Sequence, residues 1–185
     1  MIAVDFPERV IHGGTGKRQR EKTSRNVLDF SASVNPFPPT VTWHCDPVSF
    51  SGYPDDSYSG LKERIGEVFR RDPREICVGN GSIEIIRAFC AVTLGRGAGT
   101  RHFFIQPPTF GEYELSARLA GAERTAGPET ADVWFVCNPN NPTGALLHRA
   151  ELLHMLKTAK DHQGILFCDE AFIHLADPGE SLADV

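Results

Sequence analysis

Two polar segments follow two apolar stretches that each have the length of a buried strand. The sequence NPNNPTG at residues 138–144 comes after apolar residues 133–137, and Asp169 comes after apolar residues 165–168. In open α/β sheets, parallel strands hold ligands at their carboxyl ends. The amide of Asn141 and the carboxylate of Asp169 would then lie at one edge of the sheet. Such a pair suits an aromatic nitrogen heterocycle with a ring hydroxyl, because the carboxylate holds the ring nitrogen protonated and the amide binds the hydroxyl oxygen.

Asp169 stands where an ionised carboxylate needs a partner, since it directly follows apolar residues. A surface lysine or a helix N-terminus would be an ordinary partner, and a protonated pyridine nitrogen would be a functional one. Pyridoxal phosphate has this ring, which withdraws electrons from a carbanion when its nitrogen is protonated. The cofactor is usually bound to a lysine. No lysine follows Asp169 in this sequence, which ends at Val185.

A glycine-rich turn supplies a candidate phosphate site. The sequence GNGSIE at residues 79–84 stands between an apolar stretch and a helical pattern. Glycines let the backbone approach a ligand closely, and a helix N-terminus offers free N–H groups at the positive end of its dipole. An ordinary tight turn with Ser82 as the helix N-cap explains these residues equally well. Neither a GK[ST] phosphate loop nor a GxGxxG motif occurs in the sequence.

An aromatic pair adds a third element to the candidate site. Phe110, in the sequence PTFGEY at residues 108–113, has a flat face on which a heterocycle can stack. Taken alone, Phe110 and Tyr113 are more simply core residues. The asparagine run at residues 138–144 is also in part a turn, because Asn-Pro and Thr-Gly pairs favour turns. Three asparagines around two prolines exceed what a chain reversal requires.

Apolar periodicity places these segments on alternating strands and helices. This alternation predicts an α/β fold, a mainly parallel sheet sandwiched by helices. Residues 1–60 show little periodicity and are typical of an extended N-terminal arm. The spacing predicts strands at residues 76–78, 102–106, 133–137 and 165–168, and helices at 61–71, 82–95, 109–120 and 149–162. The last helix should turn Leu152, Leu153, Leu156 and Ala159 inward.

Composition excludes several classes of protein. The 185 residues are 41% hydrophobic and 23% charged, with a net charge of −5, which does not favour binding to nucleic acid or anionic membranes. The apolar runs are too short to span a membrane, and residues 1–9 do not form a secretory signal. Five cysteines without CxxC spacing predict reduced, mostly buried thiols in a cytoplasmic protein. They are Cys45, Cys77, Cys90, Cys137 and Cys168. A zinc site is the weaker interpretation.

Taken together, the motifs GNGSIE, PTFGEY, NPNNPTG and DEAF make the chain similar to the fold-type I pyridoxal-phosphate enzymes of the aminotransferase class I/II superfamily. The resemblance extends over essentially the whole chain. It implies that residues 1–60 form an N-terminal arm and part of a small domain. Residues 61–185 would form an incomplete large domain that binds pyridoxal 5′-phosphate.

The resemblance implies a role for each candidate residue. Asp169 would be catalytic, holding the ring nitrogen, and the Schiff-base lysine of relatives is missing from this sequence. The implied cofactor contacts are Gly81, Ser82 and Ile83 at the phosphate, Phe110 on the ring, Asn141 at the ring hydroxyl, and Tyr53 reaching the phosphate of the partner subunit in a homodimer. His12, Gly13 and Asn35 would line the substrate pocket, although a solvated histidine explains His12 nearly as well. No metal ligand is implied.

Two branches of this superfamily compete. The HGG start at residues 12–14 and DFSASVNP at residues 29–36 resemble the threonine-phosphate decarboxylases of cobalamin biosynthesis. Those enzymes convert L-threonine O-3-phosphate to (R)-1-amino-2-propanol O-2-phosphate with loss of CO₂. Phe172 agrees, because the aminotransferases usually have a tyrosine there that contacts the cofactor oxygen. The alternative is a histidinol-phosphate aminotransferase of histidine biosynthesis, which shares the cofactor contacts.

In relatives, the lysine and the substrate-binding arginines belong to the second half of the chain. None of Lys62, Lys157 and Lys160 stands where that lysine is expected. The resemblance therefore predicts that this 185-residue chain is inactive by itself, or is a non-catalytic fragment that binds a cofactor or partner. We also expect it to self-associate, because relatives add further strands to the sheet and an unpaired sheet edge invites pairing.

Overall fold

The computed structural model describes residues 7–14, 22, 30–33, 35, 37, 39–40, 42, 52–95, 97 and 99–185. The chain divides into two compact units. One contains Tyr58–Val185 and holds the sheet, and the other is Arg9–Ser57.

The larger unit is built on one parallel sheet. Its strands are β1 (His102–Phe104), β2 (Glu123–Arg124), β3 (Val133–Cys137) and β4 (Ile165–Asp169). Its helices are α1 (Ser59–Phe69), α2 (Ser82–Thr93), α3 (Glu112–Leu119) and α4 (Arg149–Asp161). The strand order is β2-β1-β3-β4, and every pairing is parallel. Helices separate the strands along the chain, which confirms the predicted α/β fold.

Aromatic side chains cover one face of this sheet. The ring of Phe89 in α2 lies with its centroid 4.7 Å from that of Phe167 and 6.2 Å from that of Phe135. Tyr113 in α3 stacks on Phe135 with centroids 5.4 Å apart. Phe103 completes this core and is fully buried. Full burial of an apolar side chain contributes about 1.5–3 kcal/mol, so these rings fix α2 and α3 on the sheet.

Helix α4 covers the opposite face. Leu156 shares a groove with Leu166 and Cys168, which alternate with Phe167 along β4 and so face away from α2. Leu152 is fully buried, whereas Leu153 is 39% exposed. The predicted inward position of Leu153 is therefore wrong, because only one stripe of a helix faces the sheet it packs against.

Three predicted elements differ from the structure. The strand predicted at residues 76–78 is wrong: the N–H of Ile76 closes a 3₁₀ turn on the carbonyl of Pro73, and no described strand pairs with these residues. Strand β1 is shorter than predicted. Helix α3 begins at Glu112 rather than at residue 109. The segment before it, residues 106–111, contains the prolines 107 and 108 and is not helical. Strand β2 has two residues, which are too few for apolar periodicity to predict a strand.

In the unit Arg9–Ser57, two glycines of the HGG motif contact Ser31. A Cβ on Gly13 would overlap the backbone carbonyl of Ser31. The N–H of Gly14 donates to Ser31 Oγ at 3.1 Å, and Gly14 has φ +82°, a conformation that favours glycine. Asn35 accepts a hydrogen bond from the N–H of Phe37 at 2.8 Å, which forms an Asx turn.

None of the helices within the described ranges has both the length and the apolar character required to cross a lipid bilayer.

Two neighbouring leucines of α4 test this packing. We expect Leu152→Ala to lower the free energy of unfolding by about 2–5 kcal/mol, because it leaves a cavity in a buried site. Leu153→Ala should change it by less than about 1 kcal/mol, since that side chain is partly exposed. Urea unfolding followed by tryptophan fluorescence measures both. Equal losses would contradict the assignment of the buried stripe.

Candidate functional site

The carboxylate of Asp169 lies at the end of β4, opposite Cys137 at the end of β3. The Tyr113 hydroxyl donates to one carboxylate oxygen at 2.8 Å. The backbone N–H of Ala171 donates to the other oxygen at 3.0 Å. An ionised carboxylate accepts at about four lone-pair sites. Each oxygen of this half-buried group is therefore held by one donor and retains capacity for a ligand.

Tyr113 is the most enclosed polar side chain next to Asp169. It is fully buried, stacked on Phe135 at an interplanar angle of 11°, and in edge contact with Phe110 at a centroid distance of 5.5 Å. Burial raises the pKa of the Tyr113 phenol above its ordinary value, and the negative charge of Asp169 raises it further. The phenol therefore stays protonated near neutral pH, and its proton remains available to Asp169.

Two asparagines of the NPNNPTG loop build the loop itself. The buried amide of Asn138 bonds the backbone of Leu147 twice: it accepts from the N–H at 2.8 Å and donates to the carbonyl at 3.1 Å. The amide of Asn140 donates to the carbonyl of Pro108 at 2.9 Å and accepts from the Thr109 hydroxyl at 2.9 Å. The bonds of Asn140 connect the loop after β3 to the segment that follows β1.

Asn141 differs from both. Its side chain is half-exposed and has no hydrogen-bond partner among residues 52–95, 97 and 99–185 or the described positions before them. The thiol of Cys137, at the end of β3, donates to the carbonyl of Pro139 in the same loop at 3.3 Å. The N–H of Asn138, at the start of the loop that carries Asn141, donates to the carbonyl of Asp169 at 2.8 Å, so this loop and Asp169 lie at one edge of the sheet.

The N-terminus of α2 is open. Gly81 precedes the helix with φ +82°, and a Cβ there would meet nothing within 4 Å. No described side chain caps this end. The N–H of Gly81 already donates to the carbonyl of Gly79 at 3.0 Å. The N–H groups of Ser82 and Ile83, which have no carbonyl of the preceding turn to bond, are thus the donors available to an anion.

Glu84 holds the glycine-rich turn in place. Its carboxylate accepts from the side-chain amide of Asn80 at 3.0 Å and also from the backbone N–H of Asn80. The ion pair between Arg87 of α2 and the buried carboxylate of Glu112 spans 3.5 Å. Glu112 is the first residue of α3, so this ion pair joins the middle of α2 to the start of α3.

Phe110, predicted to stack on the ring, is half-buried and contacts the edge of Tyr113. Phe172, predicted to separate the two branches, is also half-buried and precedes the 3₁₀ helix Ile173–Leu175. The unit that ends at Ser57 carries the remaining predicted residues. These are His12, Gly13 and Asn35, all exposed, and Tyr53, whose side chain is fully exposed.

Sequence reasoning missed two residues that organise the site. The core position that the sequence favours for Tyr113 is confirmed, but its bond to Asp169 depends on the distance between α3 and β4, which no local pattern encodes. Glu170, within the DEAF motif, accepts from the N–H of Leu182 at 2.7 Å and from the hydroxyl of Ser181. It therefore secures the segment that follows β4.

The cysteines offer no metal site in the described chain. Burial raises the pKa of Cys90 and of Cys168 to about 12, so both are inert thiols. Cys77 is exposed, and Cys45 lies outside the described residues. No group of three His, Cys, Asp or Glu side chains among the described residues could hold a metal ion.

The residues present fit pyridoxal 5′-phosphate by their donor and acceptor types. Asp169 offers an anion to a protonated ring nitrogen, and the amide of Asn141 has no partner within the described chain. The helix N-terminus at Ser82 offers N–H groups that no described side chain caps, beside a glycine with open space around it. A phosphorylated, hydroxylated pyridine matches these three groups.

The asparagine loop gives a matched pair of variants. Asn138→Ala should lower the free energy of unfolding by about 2 kcal/mol or more, because it leaves buried backbone groups of Leu147 without partners. Asn141→Ala should change it by less than about 0.5 kcal/mol. Chemical unfolding of each chain measures the difference. A larger loss for Asn141→Ala would show that its amide has a structural partner.

The sequence is similar to those of two kinds of known protein. It is 35% identical over 162 residues to a protein of Caldanaerobacter subterraneus subsp. tengcongensis assigned as a threonine-phosphate decarboxylase, covering 77% of this chain and 43% of that one. It is 29% identical over 175 residues to the histidinol-phosphate aminotransferase of Salmonella typhi, covering 84% and 46%. The chain thus spans less than half the length of these relatives.

The structure is similar to a solved one. The L-threonine-O-3-phosphate decarboxylase from Porphyromonas gingivalis matches with a TM-score of 0.58 and 25% identity, over 66% of this chain and 40% of that one. The sequence profile described as Aminotransferase class I and II matches residues 44–184. That range includes Tyr53, the open turn at Ser82, the asparagine loop and Asp169. The chain therefore belongs to the class I and II aminotransferase family, whose enzymes depend on pyridoxal phosphate.

Proposed function

We propose that this chain binds pyridoxal 5′-phosphate and forms the cofactor-binding part of an L-threonine O-3-phosphate decarboxylase of cobalamin biosynthesis. One observation carries the proposal: the Asp169 carboxylate, held by Tyr113 and Ala171, stands at the carboxyl end of β4, at the sheet edge of the loop that carries Asn141. The amide of Asn141 has no hydrogen-bond partner among the residues that the structure describes. When bound, the cofactor disperses the negative charge that develops on the substrate α-carbon.

The residues of the chain have distinct tasks in this proposal. Asp169 keeps the ring nitrogen protonated, because a nearby carboxylate favours the charged form of a base. Asn141 donates to the ring oxygen, and the N–H groups at Ser82 and Ile83 hold the phosphate. Phe110 covers the ring, and the edge contact with Tyr113 limits its movement.

The choice between decarboxylation and transamination depends on sequence identity and on Phe172. The higher identity to the decarboxylase relative, 35% against 29%, supports decarboxylation. Phe172 agrees, since it has no hydroxyl for the cofactor oxygen. Histidinol-phosphate transamination is the second candidate, supported by the longer match to the Salmonella typhi protein, 84% of this chain. In either case the substrate is a small phosphorylated amine, and His12, Gly13 and Asn35 are the residues proposed to contact it.

Assembly and location complete the proposal. The fully exposed Tyr53 ring supports a homodimer in which it contacts the phosphate bound by the partner subunit. The four described cysteines are free thiols, which supports a reducing compartment such as the cytoplasm.

Binding of pyridoxine 5′-phosphate tests the proposal directly. This compound has the ring and phosphate but lacks the aldehyde that reacts with lysines. We expect saturable quenching of tryptophan fluorescence, and about tenfold weaker binding for Asp169→Ala, since hydrogen bonds to charged groups are worth about 1.5–3 kcal/mol. Asp161→Ala, at the exposed end of α4, is the control and should bind normally. Absence of saturable binding would overturn the proposal.

Lysine labelling tests the predicted inactivity of the 185-residue chain. Lys157 and Lys160 are exposed on α4, on the face of the sheet opposite Tyr113. Incubation with pyridoxal phosphate and borohydride should therefore label no lysine stoichiometrically, and no CO₂ should be released from L-threonine O-3-phosphate. Peptide mass spectrometry and a CO₂ assay measure both. A single labelled lysine together with turnover would show that the chain is catalytically complete.

A further inference from the structure

Tyr113 connects two of the proposed ligand contacts in one rigid unit. Its hydroxyl lies 2.8 Å from the Asp169 carboxylate, and its ring meets the edge of Phe110 at an angle of 81°. Stacking on Phe135 at 11° fixes the plane of the ring, and the side chain is fully buried. Because the ring of Tyr113 is enclosed on these sides, its side chain has little freedom to rotate.

The orientation of Asp169 depends on two donors of different kinds. The N–H of Ala171 belongs to the backbone just beyond β4, so it moves with Asp169 itself. The Tyr113 hydroxyl belongs to α3, on a separate element that packs across the sheet face. Of these two bonds, the one from Tyr113 therefore fixes the carboxylate relative to the rest of the site.

We propose that Tyr113 is a positioning residue that aims the Asp169 carboxylate at a protonated ring nitrogen. The inference rests on the proposed binding of a pyridine cofactor and deepens it. Tyr113 does not touch the ligand. It acts through Asp169, and through Phe110 it places the stacking ring in a fixed relation to the same carboxylate.

A hydroxyl is suited to this position. It donates without carrying a positive charge, so it orients Asp169 while leaving the negative charge of that carboxylate for the ligand. A lysine or arginine at the same place would neutralise Asp169 and weaken its hold on a cationic ring nitrogen. Phenylalanine would preserve the stack on Phe135 and remove only the hydrogen bond.

The test uses the 185-residue chain with two probes, pyridoxine 5′-phosphate and inorganic phosphate. We expect Tyr113→Phe to weaken pyridoxine 5′-phosphate about fivefold, as expected for loss of part of a charged hydrogen bond. Its affinity for inorganic phosphate, which needs only the turn at Ser82, should stay within about twofold of the unmodified chain. Tyr58→Phe, at an exposed tyrosine, is the matched control and should alter neither.

A double-mutant cycle separates positioning from general structural damage. In the Asp169→Asn background, Tyr113→Phe should have no further effect beyond about twofold, because the charge that it positions is absent. The absorbance of bound pyridoxine 5′-phosphate provides a second readout. The bound ring should lose its proton at a lower pH in Tyr113→Phe than in the unmodified chain, since a carboxylate free to rotate is aligned with the ring nitrogen for less of the time.

The outcomes distinguish the two proposals. No binding of pyridoxine 5′-phosphate to the unmodified chain would overturn the proposed function and this inference with it. Normal binding with equal effects of Tyr113→Phe in both Asp169 backgrounds, or with weakened phosphate binding, would overturn the positioning role alone. An unchanged ring ionisation in Tyr113→Phe would do the same.

Discussion

The parallel pairing of β3 with β4 is the constraint on which the candidate site depends. Its register sets Cys137 opposite Asp169 and Phe135 opposite Phe167. A slip of one residue would turn every side chain of β4 to the other face of the sheet. Asp169 would then face α4 instead of Tyr113, and the asparagine loop would no longer lie beside the carboxylate. Burial of Phe135 and Phe167 under α2 and α3 selects the observed register.

The same aromatic face resolves the difficulty of a carboxylate at the end of an apolar strand. An ionised group in such surroundings requires hydrogen bonds. The core supplies one through the hydroxyl of Tyr113, and the turn after β4 supplies another through Ala171. Stability and chemistry thus depend on one cluster, because the ring that fills the core also carries the donor that stabilises the site.

The elements with strong periodicity could be predicted from the sequence, and those defined by distant partners could not. Strands β3 and β4 and helices α1, α2 and α4 follow from apolar spacing. The strand expected at residues 76–78 fails because three apolar residues do not specify a pairing partner. The polar types at Asn141 and Asp169 indicated a ligand, whereas the bond from Tyr113 to Asp169 joins residues 56 positions apart and has no local signature.

Within the asparagine loop, some side chains stabilise the fold and another is available to a ligand. Asn138 and Asn140 use their amides within the protein, and the adjacent Asn141 does not within the described chain. A loop already ordered by its own bonds loses little conformational entropy when its remaining amide meets a ligand. Preorganisation of this kind acts before any contact forms. Variants that loosen Asn138 or Asn140 would then reduce the affinity for a ligand that neither side chain touches.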